Sequence, residues 1–276
     1  MSSTFAITPA LPGFRSARTA CAPCWLNAQC LSEGLSDGEN RLLARIISYR
    51  RLARDESLFC MEEPFANLFV VRFGQFKTFS LNLSGEQQVV GFQMTGDMMG
   101  MDAIGTQYHQ SAAIALEDSE VCVLPFARLE TLLAELPTLQ RHFHRLMSHE
   151  INREQSAMLS LQSMRAEQRF AIFLLSLSAR YAARGYSPSR FQLRMSRKDI
   201  GNYLGLTVES VSRVILRLNQ KGWLRVVRRE VEILDFVSVE SLAKGLTRAE
   251  AIGSCRLQAE HHAALAMHFD LVSCLH

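Results

Sequence analysis

The sequence predicts an α+β protein: an N-terminal β-roll joined by one long helix to a C-terminal winged helix-turn-helix. Three observations predict it. From about Tyr49 to Pro125, short runs rich in Phe, Val and Ile are punctuated by glycines, the pattern of an all-β roll or barrel. After Pro137 the apolar positions switch to helical steps. Beyond Arg165, a capped short helix, a glycine turn and a second capped helix follow one another. The length of 276 residues suits about two domains, and 48% hydrophobic with 21% charged residues excludes collagen-like and disordered classes.

Residues 1–20 are rich in Ser, Thr, Ala and Pro and read as a mobile tail. Their prolines interrupt the apolar run of a signal peptide, and no stretch approaches the 18 apolar residues of a membrane-spanning helix. A cytoplasmic protein with no membrane contact is expected. Within a sensory unit at 21–136, the runs 68–74, 75–80 and 88–92 read as strands, with Ser84-Gly85 as a turn.

Leu139, Phe143, Met147, Ile151, Met158 and Leu161 then follow steps of three, four or seven, which predicts a helix over about 138–163 within a segment at 137–163. The narrow stripe, flanked by Arg141, Arg145, Glu150 and Arg153, suits a seam between two copies. The alternative is an amphipathic helix packed on its own domain. Phe143, Met147, Ile151, Glu154 and Met158 are the candidate dimerisation residues. Glu154 places like charges face to face across a parallel seam, so the expected homodimer is marginal and easily switched. His142, His144 and His149 on this helix form no two-His motif with Glu and read as surface histidines.

The net charge of +3 is unevenly spread. Residues 165–230 hold 14 Lys and Arg against 4 Asp and Glu, while the other 210 residues carry 16 against 23. A basic unit on an acidic body points to a polyanion as partner. In the unit at 164–245, Ser196-Arg197-Lys198-Asp199 reads as a capping box opening a helix at about 197–204. Gly205 supplies the turn and Thr207 caps the next helix.

In that second helix Val208, Val211, Ile215 and Leu218 take one side, and Glu209, Ser212, Arg213 and Arg217 the other. Arg213 suits guanine O6 and N7, Glu209 suits cytosine N4, Ser212 suits a base or a phosphate, and Arg217 and Lys221 suit phosphates. Residues 223–233 alternate like a hairpin with a basic tip, a wing on double-stranded DNA. The alternative is an ordinary helical hairpin. Residues 246–276 form an extension to which no role is assigned.

Seven cysteines in a chain of this length do not suggest a disulfide framework. Cys21, Cys24 and Cys30, spaced Cys-x2-Cys-x5-Cys, suit zinc or an iron–sulfur cluster, and either calls for a fourth ligand. Cys122 is the best candidate for it, with Cys60 behind. An enzyme using Cys-x2-Cys chemistry is disfavoured: a Walker loop and a dinucleotide fingerprint are both missing.

Taken together, these residues resemble the CRP/FNR family of bacterial transcription regulators, and within it the oxygen-sensing FNR type. The resemblance covers about 21–244, or 224 of 276 residues. It is carried by the β-roll stretch from Gly91-Phe92-Gln93 through Gly96-Asp97 to Gly105, by residues 199–213 of the reading head, and by Cys21, Cys24, Cys30 and Cys122.

The resemblance implies a [4Fe–4S] cluster on those four cysteines, stable without oxygen, whose conversion in air weakens the dimer and ends DNA binding. It implies that Glu209, Ser212 and Arg213 read TTGAT-type half-sites of a palindrome, and that loops around Phe73 and Gly85 touch RNA polymerase. It implies that Glu154 keeps the cluster-free form monomeric. Where cyclic-nucleotide-binding relatives carry a Glu and an Arg, this chain has Met101 and Gln110, so no cyclic nucleotide is expected. Trp25, a departure from the family beside Cys24, bears on oxygen access. The alternative is the same DNA head with a structural zinc or a thiol-redox sensor.

Overall fold

The computed structural model describes residues 31–32, 34–82 and 85–245, apart from the side chains of 154 and 156–163. The tail, the C-terminal extension, Cys21, Cys24, Cys30 and the side chains of Glu154 and Met158 lie outside the described residues.

Helix α1 (Asp37–Ile46) opens on a capping box in which Ser36 and Glu39 bond each other's backbone N–H. Strands β1 (Ser48–Leu52), β2 (Ser57–Phe59), β3 (Asn67–Phe73), β4 (Gln75–Leu81), β5 (Gln87–Met94), β6 (Met98–Met99), β7 (Ala112–Ala115) and β8 (Ser119–Pro125) follow. They form two antiparallel sheets, in the orders β1-β8-β3-β6 and β2-β7-β4-β5. Because strand side chains alternate between faces, β8 serves two cores. Val121 and Val123 pack between the sheets with Phe76, Phe69 and Val71, while Cys122 and Leu124 face the helices.

Helices α2 (Phe126–Glu135) and α3 (Pro137–Ser163) complete the roll. The long helix forms where its periodicity predicts it, but the apolar stripe divides. Leu139 and Phe143 are buried within the same chain, against Leu43, Leu68, Leu129 and Leu132, with Met147 packed partly on this cluster. Phe143 therefore belongs to the roll's own core rather than to a seam between copies. Further along, Ile151 is half exposed. His142, expected on the surface, is buried one position before Phe143 with Nδ1 2.9 Å from Arg145; His144 and His149 are exposed.

The head comprises α4 (Ala166–Ala183), β9 (Arg190–Gln192), α5 (Arg197–Leu204), α6 (Val208–Gln220), β10 (Leu224–Val227), β11 (Glu230–Ile233) and α7 (Phe236–Lys244), with a β10-β11-β9 sheet. Phe170, Leu174, Ile200, Val211 and Leu218 make its core. That core does not stop at the domain boundary: Val89, Phe92 and Met94 of β5 join it. The two units expected from length share one buried interface, because β5 turns apolar side chains toward α4 and α5.

Candidate functional site

Two helices and the turn between them are set by local chemistry. The Ser196 hydroxyl accepts from the Asp199 N–H at 3.1 Å, and the Asp199 carboxylate accepts from the Ser196 N–H at 3.1 Å. This closes α5 at its N-terminus. At the other end Gly205 stands at φ 62°, in the left-handed region, and the Leu206 N–H donates to the Gly201 carbonyl at 2.8 Å. Gly201 is required by close approach, since a Cβ there would meet the Leu206 carbonyl oxygen at 2.6 Å. Thr207 then accepts from the Ser210 N–H at 3.1 Å and starts α6.

On α6, Val211, Val214, Ile215 and Leu218 face the core. Val208, expected on that side, is 40% exposed, because the first residue of the helix overhangs the turn beyond its packed neighbours. Val214 fills the inner face in its stead. Glu209, Arg213 and Arg217 are exposed and Ser212 is half-buried, so the outer face carries the groups expected to read DNA.

The Glu209 carboxyl is held below its ordinary value by its own backbone N–H and the Thr207 hydroxyl, despite a small opposing effect of burial and with help from Arg213. It is thus an ionised acceptor at neutral pH, as cytosine N4 requires. The Ser212 hydroxyl accepts from Arg197 at 3.3 Å, and Arg217 pairs with Glu167 of α4 at 3.0 Å. These two contacts place Arg197 beside the reading face and give Arg217 a partner in the absence of DNA.

Two residues of this face escaped sequence reasoning. Arg197 was visible only as part of a cap, although its cationic head lies next to Ser212. Leu216 is 56% exposed in the middle of the outer face, seven residues after Glu209 and three after Arg213. Its apolar end suits the C5-methyl of thymine rather than a phosphate. The signal lies in the spacing, which puts Leu216 on the side of Glu209 and Arg213.

The wing forms as its alternation predicts, with Leu224 opposite Ile233 and Val227 opposite Glu230. Its two-residue tip is Arg228, at φ 56°, and Arg229. Arg228 is exposed, whereas Arg229 is half-buried and donates to the Arg194 carbonyl. Lys221 lies over the Trp223 ring at 4.4 Å, which holds a cation at the end of α6. The arrangement offers phosphates a row of cations on both flanks of the base-reading helix.

In the roll, Cys122 is buried on β8, opposite Tyr49 on one side and Val70 on the other. Leu31, the residue after Cys30, is buried in the same cluster. Among the described residues no group of three or more His, Cys, Asp or Glu side chains is placed to hold a metal. Three of the four expected ligands lie outside those residues.

A cavity of about 200 Å³ opens between β5, the turn after β6 and α3, lined in part by Met98, Met99, Met101, Asp102, Met147 and Glu150. Asp102 accepts from Gln110 N–H and from both Ser111 donors. The Gln110 side chain instead bonds Thr106 and the Tyr108 carbonyl. Two carboxylates and no Lys or Arg among the described lining residues make this a poor seat for a phosphate.

Comparison with known proteins agrees with this architecture. Residues 168–242 match the Crp-like helix-turn-helix domain, and residues 49–135 match the cyclic nucleotide-binding domain. The chain is 43% identical to the transcriptional activator protein anr of Pseudomonas aeruginosa, over 82% of this chain and 93% of that one. It is 41% identical to the anaerobic regulatory protein of Pasteurella multocida, over 81% and 82%. Among solved structures, FixK2 from Bradyrhizobium japonicum superposes with a TM-score of 0.66 at 27% identity, covering 71% of this chain and 97% of that one. These relatives are regulators rather than enzymes. With a β-roll, a long helix and an exposed reading helix in place, the chain belongs to the CRP/FNR family of DNA-binding transcriptional regulators.

Proposed function

We propose that this regulator senses oxygen through a [4Fe–4S] cluster held by Cys21, Cys24, Cys30 and Cys122, and that it binds palindromes of TTGAT-type half-sites as a homodimer in anaerobic cells. The observation that carries the reading is the place of Cys122. It is buried in the cluster that also takes Leu31, the residue after Cys30, which supports reading the four thiols as one site. Four thiols, one of them Cys122 among apolar neighbours, fit an iron–sulfur cluster, which would supply the oxygen lability. Among relatives, one is named an anaerobic regulatory protein and another a transcriptional activator.

The chain's own residues do the rest. Glu209, Ser212 and Arg213 read base edges; Arg217, Lys221 and Arg228 take phosphates. Ile151, with Glu154 and Met158 further along α3, meets the partner copy. Like charges at Glu154 keep that association weak enough to be switched. The Met-lined cavity is retained as scaffold and takes no cyclic nucleotide. RNA polymerase is met by the loops near Phe73 and Gly85, as an activator of cytoplasmic transcription requires.

An electrophoretic shift on a TTGAT palindrome tests this. Anaerobically prepared protein is expected to bind it tightly and to lose at least tenfold in affinity after air, with specific over non-specific binding of about 10³ or more. Equal binding before and after air points to a structural zinc in place of the cluster. Loss in air that thiol reductant alone restores points to a thiol-redox sensor.

A further inference from the structure

Asn202 sits on α5 and reaches across the domain boundary to β5, an edge strand of its sheet. Its side-chain nitrogen donates to the Gln87 carbonyl at 2.7 Å, and its side-chain oxygen accepts from the Val89 N–H. The Gln88 side-chain amide Nε2 donates in turn to the Asn202 backbone carbonyl at 2.8 Å. A carbonyl at one residue and an N–H two residues on are the groups that an edge strand offers to a parallel neighbour. The Asn202 carboxamide therefore stands in for the N–H and C=O of one residue of a missing strand.

Two further contacts flank it. Lys77 of β4 pairs with Asp199 of α5 at 2.7 Å with both side chains mostly buried, and Tyr203 packs edge-on against Phe92 at 5.2 Å. Helix α6 is locked to α5 through the Gly201 approach, so a rotation of α5 on β5 moves α6 with it.

We propose that Asn202 is a positioning residue for DNA binding: by pinning α5 to the edge of β5 it fixes where α6 stands relative to α3, and so sets the half-site spacing that a dimer accepts. This rests on the proposed reading of the protein as a dimer on a palindrome. Base specificity resides on the outer face of α6 and does not involve Asn202. Spacing and base readout are therefore separable.

The test uses full-length anaerobic protein, comparing wild type with Asn202→Ala and Lys77→Met. The DNAs are a TTGAT palindrome at its best spacing, the same with one base pair inserted or removed, and the same with one wrong base in each half-site. Wild type is expected to lose about tenfold or more on the altered spacing, and both variants about threefold or less, all three keeping the same base penalty. Lys77 lies on the roll, so its variant leaves every residue of α5 and the Ser196–Asp199 cap in place and remains informative if Asn202→Ala destabilises α5. Variants that retain the wild-type spacing penalty, or that lose spacing and base discrimination together, overturn the proposal alone. A wild type indifferent to spacing overturns the dimer reading and the proposal with it.

Discussion

Replacing Asp97 by Ala is expected to cost about 3 kcal/mol of folding stability, the low end for removing one partner of a buried ion pair. Asp97 lies between β5 and β6, and its carboxylate accepts from Arg180, from Arg184 at 2.8 Å and from the Met94 N–H at 2.8 Å. Arg153 of α3 stands 3.7 Å away. One side chain thus joins the roll, the long helix and α4 of the head. With Asp97 gone, Arg184, whose side chain is only 8% exposed, would be left as a buried cation without its counter-ion.

Burial alone would push the Asp97 carboxyl up, but Arg180, Arg153 and Arg184, with the Met94 N–H, outweigh it and hold the group below its ordinary value. A depressed carboxyl contributes stability that is fully present above its unfolded value of about 3.9 and is lost as pH falls through the lower folded value. Urea denaturation at pH 7 and at pH 3 checks both points. The variant should show the loss at pH 7 and a smaller loss at the acid end. A change under 1 kcal/mol at pH 7 would show that the four groups are solvent-screened and do not join the two units.

The second large effect concerns the reading helix. Arg213→Ala is expected to weaken specific DNA binding by about 1–3 kcal/mol and to relax discrimination at a single base pair. Arg213 is exposed on the outer face of α6, one turn beyond Glu209, where a fork of donors meets guanine O6 and N7. The comparison is Arg228→Ala at the wing tip, which should weaken binding to all sequences alike and reduce the salt dependence by about one phosphate. Anisotropy titrations on a set of single-base variants separate the two. Uniform weakening by Arg213→Ala would reassign it to the backbone.

Much of this architecture was legible in the sequence where short-range chemistry decides the structure. The capping box at Ser196, the turn at Gly205, the cap at Thr207 and the alternation of the wing are local signals; the first helix spans the residues expected and the second begins where expected. The β-roll was legible as a region, and its three best strands were found, but β1, β2, β6, β7 and β8 were not separated. Several of these are only two to five residues long, and their pairing is set by partners far along the chain.

What was illegible is what depends on packing between distant elements. Phe143 and His142 read as seam and surface until α3 is laid on the roll, and Val208 read as core until its end of α6 is seen to overhang. Asp97 and Asn202 lie in stretches that carry the family resemblance, but nothing local marks the contacts they make. One is an ordinary turn acid and the other an ordinary helix polar residue until β5, α4 and α5 meet. Of the four expected ligands, Cys122 is placed by β8, while the other three lie outside the described residues.

The central claim is that oxygen is read at those four cysteines, and the most direct measurement follows the visible absorption of anaerobically purified protein, with iron, sulfide and zinc analysis, as air is admitted. The account predicts a coloured protein with about four irons per chain that bleaches in air while DNA binding falls, and a colourless Cys122→Ser variant. A colourless wild-type protein holding one zinc and indifferent to air would contradict it, leaving the DNA-reading head in place and the oxygen sensor without support.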